Sequence, residues 1–401
     1  MARVHQSGFE LNSTTANVEW NLFGTAGTTI TSGAARSGGF GLRISSLTSG
    51  TQAGAVYKWL SVAGTGPYFF RAYVNVQTLP SGSNHIMSFN SGTGTPGASP
   101  LCKITLESNG TLILRNQSGT QIGSASSALS TGTWYMLELK TDTTAASGSR
   151  VIEGRLNGSV FATTSTGTQT NSLAVSVGGN MDAEAQTTGE WWFDDIAVND
   201  STGSFQTSYP GDGKIIHLKP NAAGDANGFA TQVGGTAGST NNYTRVNEVP
   251  PDNTTSYNQS GTLNTQDMFN VDDSGIGSAD TVNVVMVGIR IRNDVADAAL
   301  TIKAQIEKTS GGTIAQGSAI IANQTSFGTN QTTTPHNYTL VTYQDPDSGN
   351  WARSTLDSMQ IGYKITVAGT NNILVTNVWA IVDYTPSATV APLELALLGV
   401  G

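Results

Sequence analysis

Two adjacent aspartates near the middle of the chain are the residues best placed to do chemistry. They sit in Glu190-Trp-Trp-Phe-Asp-Asp-Ile-Ala-Val-Asn-Asp200, a run that alternates like a strand. Neighbouring side chains on a strand point to opposite faces, so one of Asp194 and Asp195 must point inward. An inward carboxylate is expensive unless it is hydrogen-bonded or bound to a metal. Glu10, in an early strand-like segment, is a third acid that could share the site. Glu10 with Asp194 and Asp195 would suit a structural calcium clamping the first strand to the last, with backbone carbonyls near Ser37-Gly38-Gly39 completing the shell. The alternative needs no metal. One acid would cap a turn and the other would pair with Arg36 or Arg43.

Other side chains offer less. Trp59, Trp134, Tyr135, Trp191 and Trp192 could present stacking faces to a sugar, although aromatics in alternating strands are usually core. Glycan-binding residues are therefore left unassigned. Glycoside hydrolysis needs two carboxylates opposed across a cleft. Glu107, Glu138, Glu153 and Glu184 are scattered, mostly at exposed-looking strand positions. His5, His85, His217 and His336 show neither metal-ligand spacing nor a neighbouring serine nucleophile. Asp267, Asp272 and Asp273 read as turn-formers. No catalytic residue and no cofactor-binding residue is assigned, and the expectation is a protein that is not an enzyme.

The elements that must hold these residues are β-strands. Charged residues make up only 12% of the 401 residues and glycine fills 47 positions, while β-branched and aromatic residues recur in bursts. That is the profile of many short strands joined by polar turns. Tyr68–Val76, His85–Phe89, Cys102–Leu106, Thr111–Arg115 and Thr133–Lys140 all read as strands. Ser108-Asn109-Gly110 and Asn157-Gly158 read as hairpin turns. A polar, Pro/Gly-rich stretch over 201–213 reads as a linker. Strand runs resume at Lys214–Pro220, Thr281–Arg292, Ala299–Glu307, Met359–Val367 and Ile373–Tyr384. Only Trp351–Met359 suits a helix. The fold class is all-β: two antiparallel β-sandwich, jelly-roll-like domains in tandem. The expected divisions are 1–205, 206–386 and an apolar tail, 387–401, whose Leu393, Leu395, Leu397 and Leu398 suit burial on a symmetric neighbour.

The net charge of −9 speaks against a nucleic-acid partner. No apolar run reaches the ~18 residues of a membrane-spanning helix. The single cysteine, Cys102, cannot form an intrachain disulfide, and the start of the chain carries no apolar signal-peptide core. Folding in a reducing cytoplasm is the expectation.

Two sets of residues resemble known families. Gly8-Phe-Glu10, Trp20, Arg36-Ser-Gly-Gly-Phe-Gly-Leu-Arg-Ile44 and Trp192-Phe-Asp-Asp-Ile-Ala-Val198 resemble concanavalin-like and carbohydrate-binding-module jelly rolls. In those modules an early Glu and a last-strand Asp share a structural calcium, which maps onto Glu10 and Asp194 or Asp195. A longer pattern resembles virion proteins of tailed bacteriophages. It comprises Phe193–Ser204, Tyr209–Asp225, Val246-Asn-Glu248, Asp252–Tyr257, Asp345–Trp351 and Gln360–Tyr363. This resemblance implies a structural component of a phage particle, as capsid decoration or a tail-associated accessory protein. Its expected place is the virion, and its expected partners are further copies of itself, other virion proteins and host-surface glycans. The alternatives are a phage-tail glycan depolymerase or hydrolase, and a secreted bacterial carbohydrate-binding protein.

Overall fold

The structure is a computed structural model. It describes residues 2–45 apart from 16, 17, 25 and 26; 56–91 apart from 65; 100–178; 188–252; 255–321; 323; 325; and 338–387. Glu184, His336, the side chain of Trp59 and the tail from 388 onward lie outside the described residues.

The chain folds into four antiparallel sheets that form two sandwiches. The first sandwich pairs a seven-stranded sheet with an eight-stranded one; the second pairs two six-stranded sheets. The sequence expectation of two β-sandwiches is met. We number the sheets so that the first (seven strands) and second (eight strands) form the N-terminal sandwich. The third carries the last strand, Ile373–Thr385, and the fourth completes the C-terminal sandwich.

Strand periodicity explains the layering. In Tyr68–Thr78, the alternate residues Tyr68, Phe70, Ala72, Val74 and Val76 enter the core between the first and second sheets. Trp20, Trp191 and Phe193 complete that core. Each fully buried large apolar side chain contributes roughly 1.5–3 kcal/mol, so this layer is a main source of stability. The second core is built the same way. Val285, Val287 and Ile289 from Thr281–Asn293 face Ile302, Ala304 and Ile306 from Thr301–Glu307.

The turns follow their glycines. Asn157 and Gly158 both have positive φ, as a type I′ hairpin requires. At Ser108-Asn109-Gly110 only Gly110 does, at φ 83°, so this hairpin is not the type I′ turn its Asn-Gly suggests. Trp351–Met359 contains one short helix, Arg353–Asp357, with Thr355 Oγ1 accepting from the Ala352 N–H. Among the described residues no helix is long and apolar enough to cross a membrane.

The sandwiches meet through the outward faces of the second and third sheets. On Tyr68–Thr78 the residues between the core positions include Arg71 and Tyr73. Arg71 is fully buried and pairs with Asp383 of the last strand at 3.2 Å. Arg3, from the strand Arg3–Ser7, pairs with the same carboxylate at 2.7 Å. Around this triad lies a small apolar cluster in which Leu11 and Val18 meet Ile215, Met286, Trp379 and Ile381.

The stretch 201–213 is not a free tether. Tyr209 packs on Phe69 and hydrogen-bonds to Glu153, Gly211 donates its N–H to Glu138, and Asp212 accepts from Tyr73. Glu138 is therefore buried rather than exposed as its alternation suggests.

Removing one partner of a buried ion pair leaves an uncompensated charge and typically costs about 3–5 kcal/mol. Asp383→Ala should lower unfolding stability by about that amount in urea titrations. A loss under about 1 kcal/mol, the value of an exposed pair, would show that the triad is not buried as described.

Candidate functional site

Asp194 and Asp195 lie where the strand Glu190–Asn199 changes partner. Its first half pairs with Gly41–Ser45 and its second with Arg3–Ser7. Between them the ladder to Tyr68–Thr78 slips, and Asp195 adopts φ 50°. The bulge turns both carboxylates onto the loop at Arg36–Phe40. Asp194 Oδ2 accepts the N–H of Arg36 at 2.7 Å and of Ser37 at 3.0 Å, while Oδ1 accepts that of Asp195 at 2.7 Å. Asp195 accepts from Arg36 Nη1, Ser37 Oγ and the Ile215 N–H, at 2.5, 2.5 and 2.6 Å. Glu10 reaches the same loop, taking the N–H of Gly39 at 2.9 Å and of Phe40 at 3.3 Å. Gly38 is needed there, because its φ is 62° and a Cβ would stand 2.0 Å from Glu10 Oε1.

The three acids predicted to share a site thus do converge, on one loop. The arrangement does not fit a shared calcium. Such an ion needs six to eight oxygens turned toward it, whereas these carboxylates are turned to N–H groups, a hydroxyl and a guanidinium. Among the described residues no group of three or more His, Cys, Asp or Glu side chains could hold a metal. The turn-capping and Arg36-pairing alternative describes Asp194 and Asp195 as they stand.

Burial pushes Glu10 up to about 8, against the pull of the Gly39 and Phe40 N–H groups. Asp194 and Asp195 are also raised, first by burial, and Asp194 next by the charge on Asp195. In the interface triad, burial acts upward on Asp383, but Arg71 and Arg3 more than reverse it and hold it below the usual carboxylate range.

The remaining candidates disperse. Trp191 is core, while Trp192 donates its indole N–H to Glu190 and Tyr135 accepts from the Ser130 N–H. Trp134 is partly buried. Asp267 is not a turn-former. It lies buried in the strand Gln266–Val271, bonded to Phe229 N, Asn242 and Tyr363. The outward face of the first sheet is polar, with Ser88, Asn90 and Ser176 bonded together beside His85 and Lys103, but all five are buried.

Among the described residues an open polar surface lies elsewhere in this sandwich, between two edge strands. Gln121–Ile122 ends the first sheet and Ser159–Gly167 ends the second. Between them is a groove of ≈ 370 Å³, walled by Asn116, Gln117 and Gln121 on one side and by Thr163, Thr164 and Thr166 on the other. Gly123 approaches Ala162 so closely that a Cβ would meet its methyl at 3.2 Å. No charged side chain lines the groove. Sequence reasoning missed it, because Thr163–Thr170 consists of common polar residue types.

No protein-family model and no curated protein matches this chain. Solved structures give partial likenesses. Trypanosoma rangeli sialidase is 15% identical with a TM-score of 0.30, covering 40% of this chain and 25% of the sialidase. The chain thus spans a quarter of that enzyme's length. The alginate lyase Aly36B is 14% identical with a TM-score of 0.36, covering 48% of this chain and 95% of the lyase. An alginate lyase from Aplysia kurodai is 10% identical with a TM-score of 0.30, covering 43% and 86%. The expectation of a protein that is not an enzyme is corrected here. The solved structures it is partly similar to are a sialidase and alginate lyases.

Glu10 sets the sign of a pH effect. A carboxyl raised on folding contributes stability that is complete below its unfolded pKa and lost as pH rises through its folded value. Between about pH 4.5 and about pH 8 the protein should therefore lose stability, and Glu10→Gln should flatten that fall. Equal slopes for the two proteins in thermal melts would contradict the raised Glu10.

Proposed function

We propose that this chain is a glycan-recognising component of a phage particle. The N-terminal sandwich reads the glycan, and the C-terminal sandwich attaches to the particle. The groove between the edge strands carries the glycan half of this reading: it is open, concave and lined by amides and hydroxyls. Its volume falls within the roughly 300–1,000 Å³ of small-molecule sites. The virion half rests on the sequence pattern running from Phe193 to Tyr363. The interface between the sandwiches supports a division of labour, because it is built around Arg3, Arg71 and Asp383, while the groove is built on the edge strands Gln121–Ile122 and Ser159–Gly167.

The test is retention of the full-length protein on a panel of immobilised bacterial surface polysaccharides, with soluble products assayed for new chain ends. Retention on at least one polysaccharide, lost in Gln117→Ala/Gln121→Ala, is the expected result. New chain ends alongside retention would make the protein a depolymerase that works on the glycan it recognises. Failure to bind any polysaccharide would overturn the proposal.

A further inference from the structure

Resting on that glycan reading, we propose that the groove takes a neutral saccharide and selects against acidic ones, with Gln169 as the residue that reads a sugar hydroxyl. The lining supplies three amide side chains on one wall and threonine hydroxyls on the other, with Ile122 as its one large apolar residue. Amides and hydroxyls both donate and accept, as sugar hydroxyls do. Several have capacity to spare. Asn116 commits its Oδ1 to the Ser118 and Thr120 N–H groups, and Gln121 commits its Nε2 to the Gly123 carbonyl. That leaves the Asn116 amide NH₂ and the Gln121 carbonyl for a ligand. Gln117 is exposed at the rim.

Gln169 differs from the rest because it is buried, at 1% exposure. Its Nε2 donates to the Val151 carbonyl at 3.0 Å and approaches Thr141 Oγ1 at 3.4 Å. Those donations fix the amide, and its Oε1 is left without a hydrogen-bond partner. This oxygen lies against Gly167, where a Cβ would stand 2.2 Å from it. A buried acceptor left unpaired costs about 1–3 kcal/mol, and a hydroxyl donor brought to it, once the segment at Gly167 yields to expose the oxygen, removes that cost.

A carboxylate sugar would bring a second acceptor to the same place. Among the described residues no cationic side chain lines the groove to offset it. Arg115 is turned to Glu107 and the Gly119 carbonyl, and Arg150 to the carbonyls of Ala145 and Gln169. The net charge of −9 adds long-range repulsion of polyanions.

The test is an NMR titration of the full chain with maltotetraose, cellotetraose and chitotetraose against tetragalacturonate. At least one neutral tetrasaccharide should shift the backbone signals of 116–123 and 163–169, and tetragalacturonate should not. Gln117→Ala/Gln121→Ala, confined to exposed side chains, should weaken that binding at least about tenfold. Gln169→Glu should abolish it while leaving the remaining spectrum folded; if that variant unfolds, the exposed pair alone decides. Tetragalacturonate binding in the groove as tightly as the neutral sugars would overturn the neutral class and leave glycan recognition standing. Glycan binding that ignores the Gln117/Gln121 changes would overturn the groove. Binding of neither kind would overturn both readings.

Discussion

A single buried carboxylate, Asp383, stands between two buried guanidinium groups from the other sandwich. Arg3 and Arg71 come from strands far apart in sequence, and Asp383 lies near the end of the last strand. Burying three charges is unfavourable unless every one of them is paired and hydrogen-bonded. Here Arg3 also donates to Asn199 and Gln6, and Arg71 to the carbonyls of Asp195 and Gly211. Arg3 Nη2 is left without a hydrogen-bond partner, and the cluster's remaining groups are engaged only when the first strand, the bulge at Asp194–Asp195, the linker and the last strand are all in place. A joint of this kind predicts that the two sandwiches move as one body, since sliding either sheet strands a buried charge.

The acids of the bulge belong to the same construction. Asp195 holds Arg36 and the Ile215 N–H, tying the Arg36–Phe40 loop to the first residues of the second sandwich. Arg36 in turn lies over the Tyr73 ring, 3.4 Å from its centroid. What looked in the sequence like metal ligation is a joint made of backbone N–H groups and arginines. This side of the N-terminal sandwich is committed to the joint; among the described residues an open polar surface lies at the edge where the groove between Gln121–Ile122 and Ser159–Gly167 is found.

The parts of the fold legible in the sequence were those that rest on period-two alternation. Tyr68–Thr78, Thr281–Asn293 and Ile373–Thr385 declare themselves through their apolar positions. The convergence of Glu10 with Asp194 and Asp195 was legible too, because an acid on the inward side of a strand must find partners. What those partners are was not legible, since backbone N–H groups carry no sequence signature. Glu138 and Asp267 misled for a related reason: alternation says which face a residue takes, not whether a linker or a polar network later covers it. The groove was invisible because its residues are common polar types. Only the meeting of two edge strands from different sheets makes them a site.

The joint between the sandwiches is tested most directly by NMR relaxation of the intact chain, reading the rotational correlation time of each sandwich separately. One buried triad shared by both predicts a single correlation time, that of a 401-residue body, unchanged by salt because the pairs are shielded from solvent. Two shorter, unequal correlation times, or a split that appears as salt is raised, would show that the sandwiches move independently and that Asp383 does not hold them.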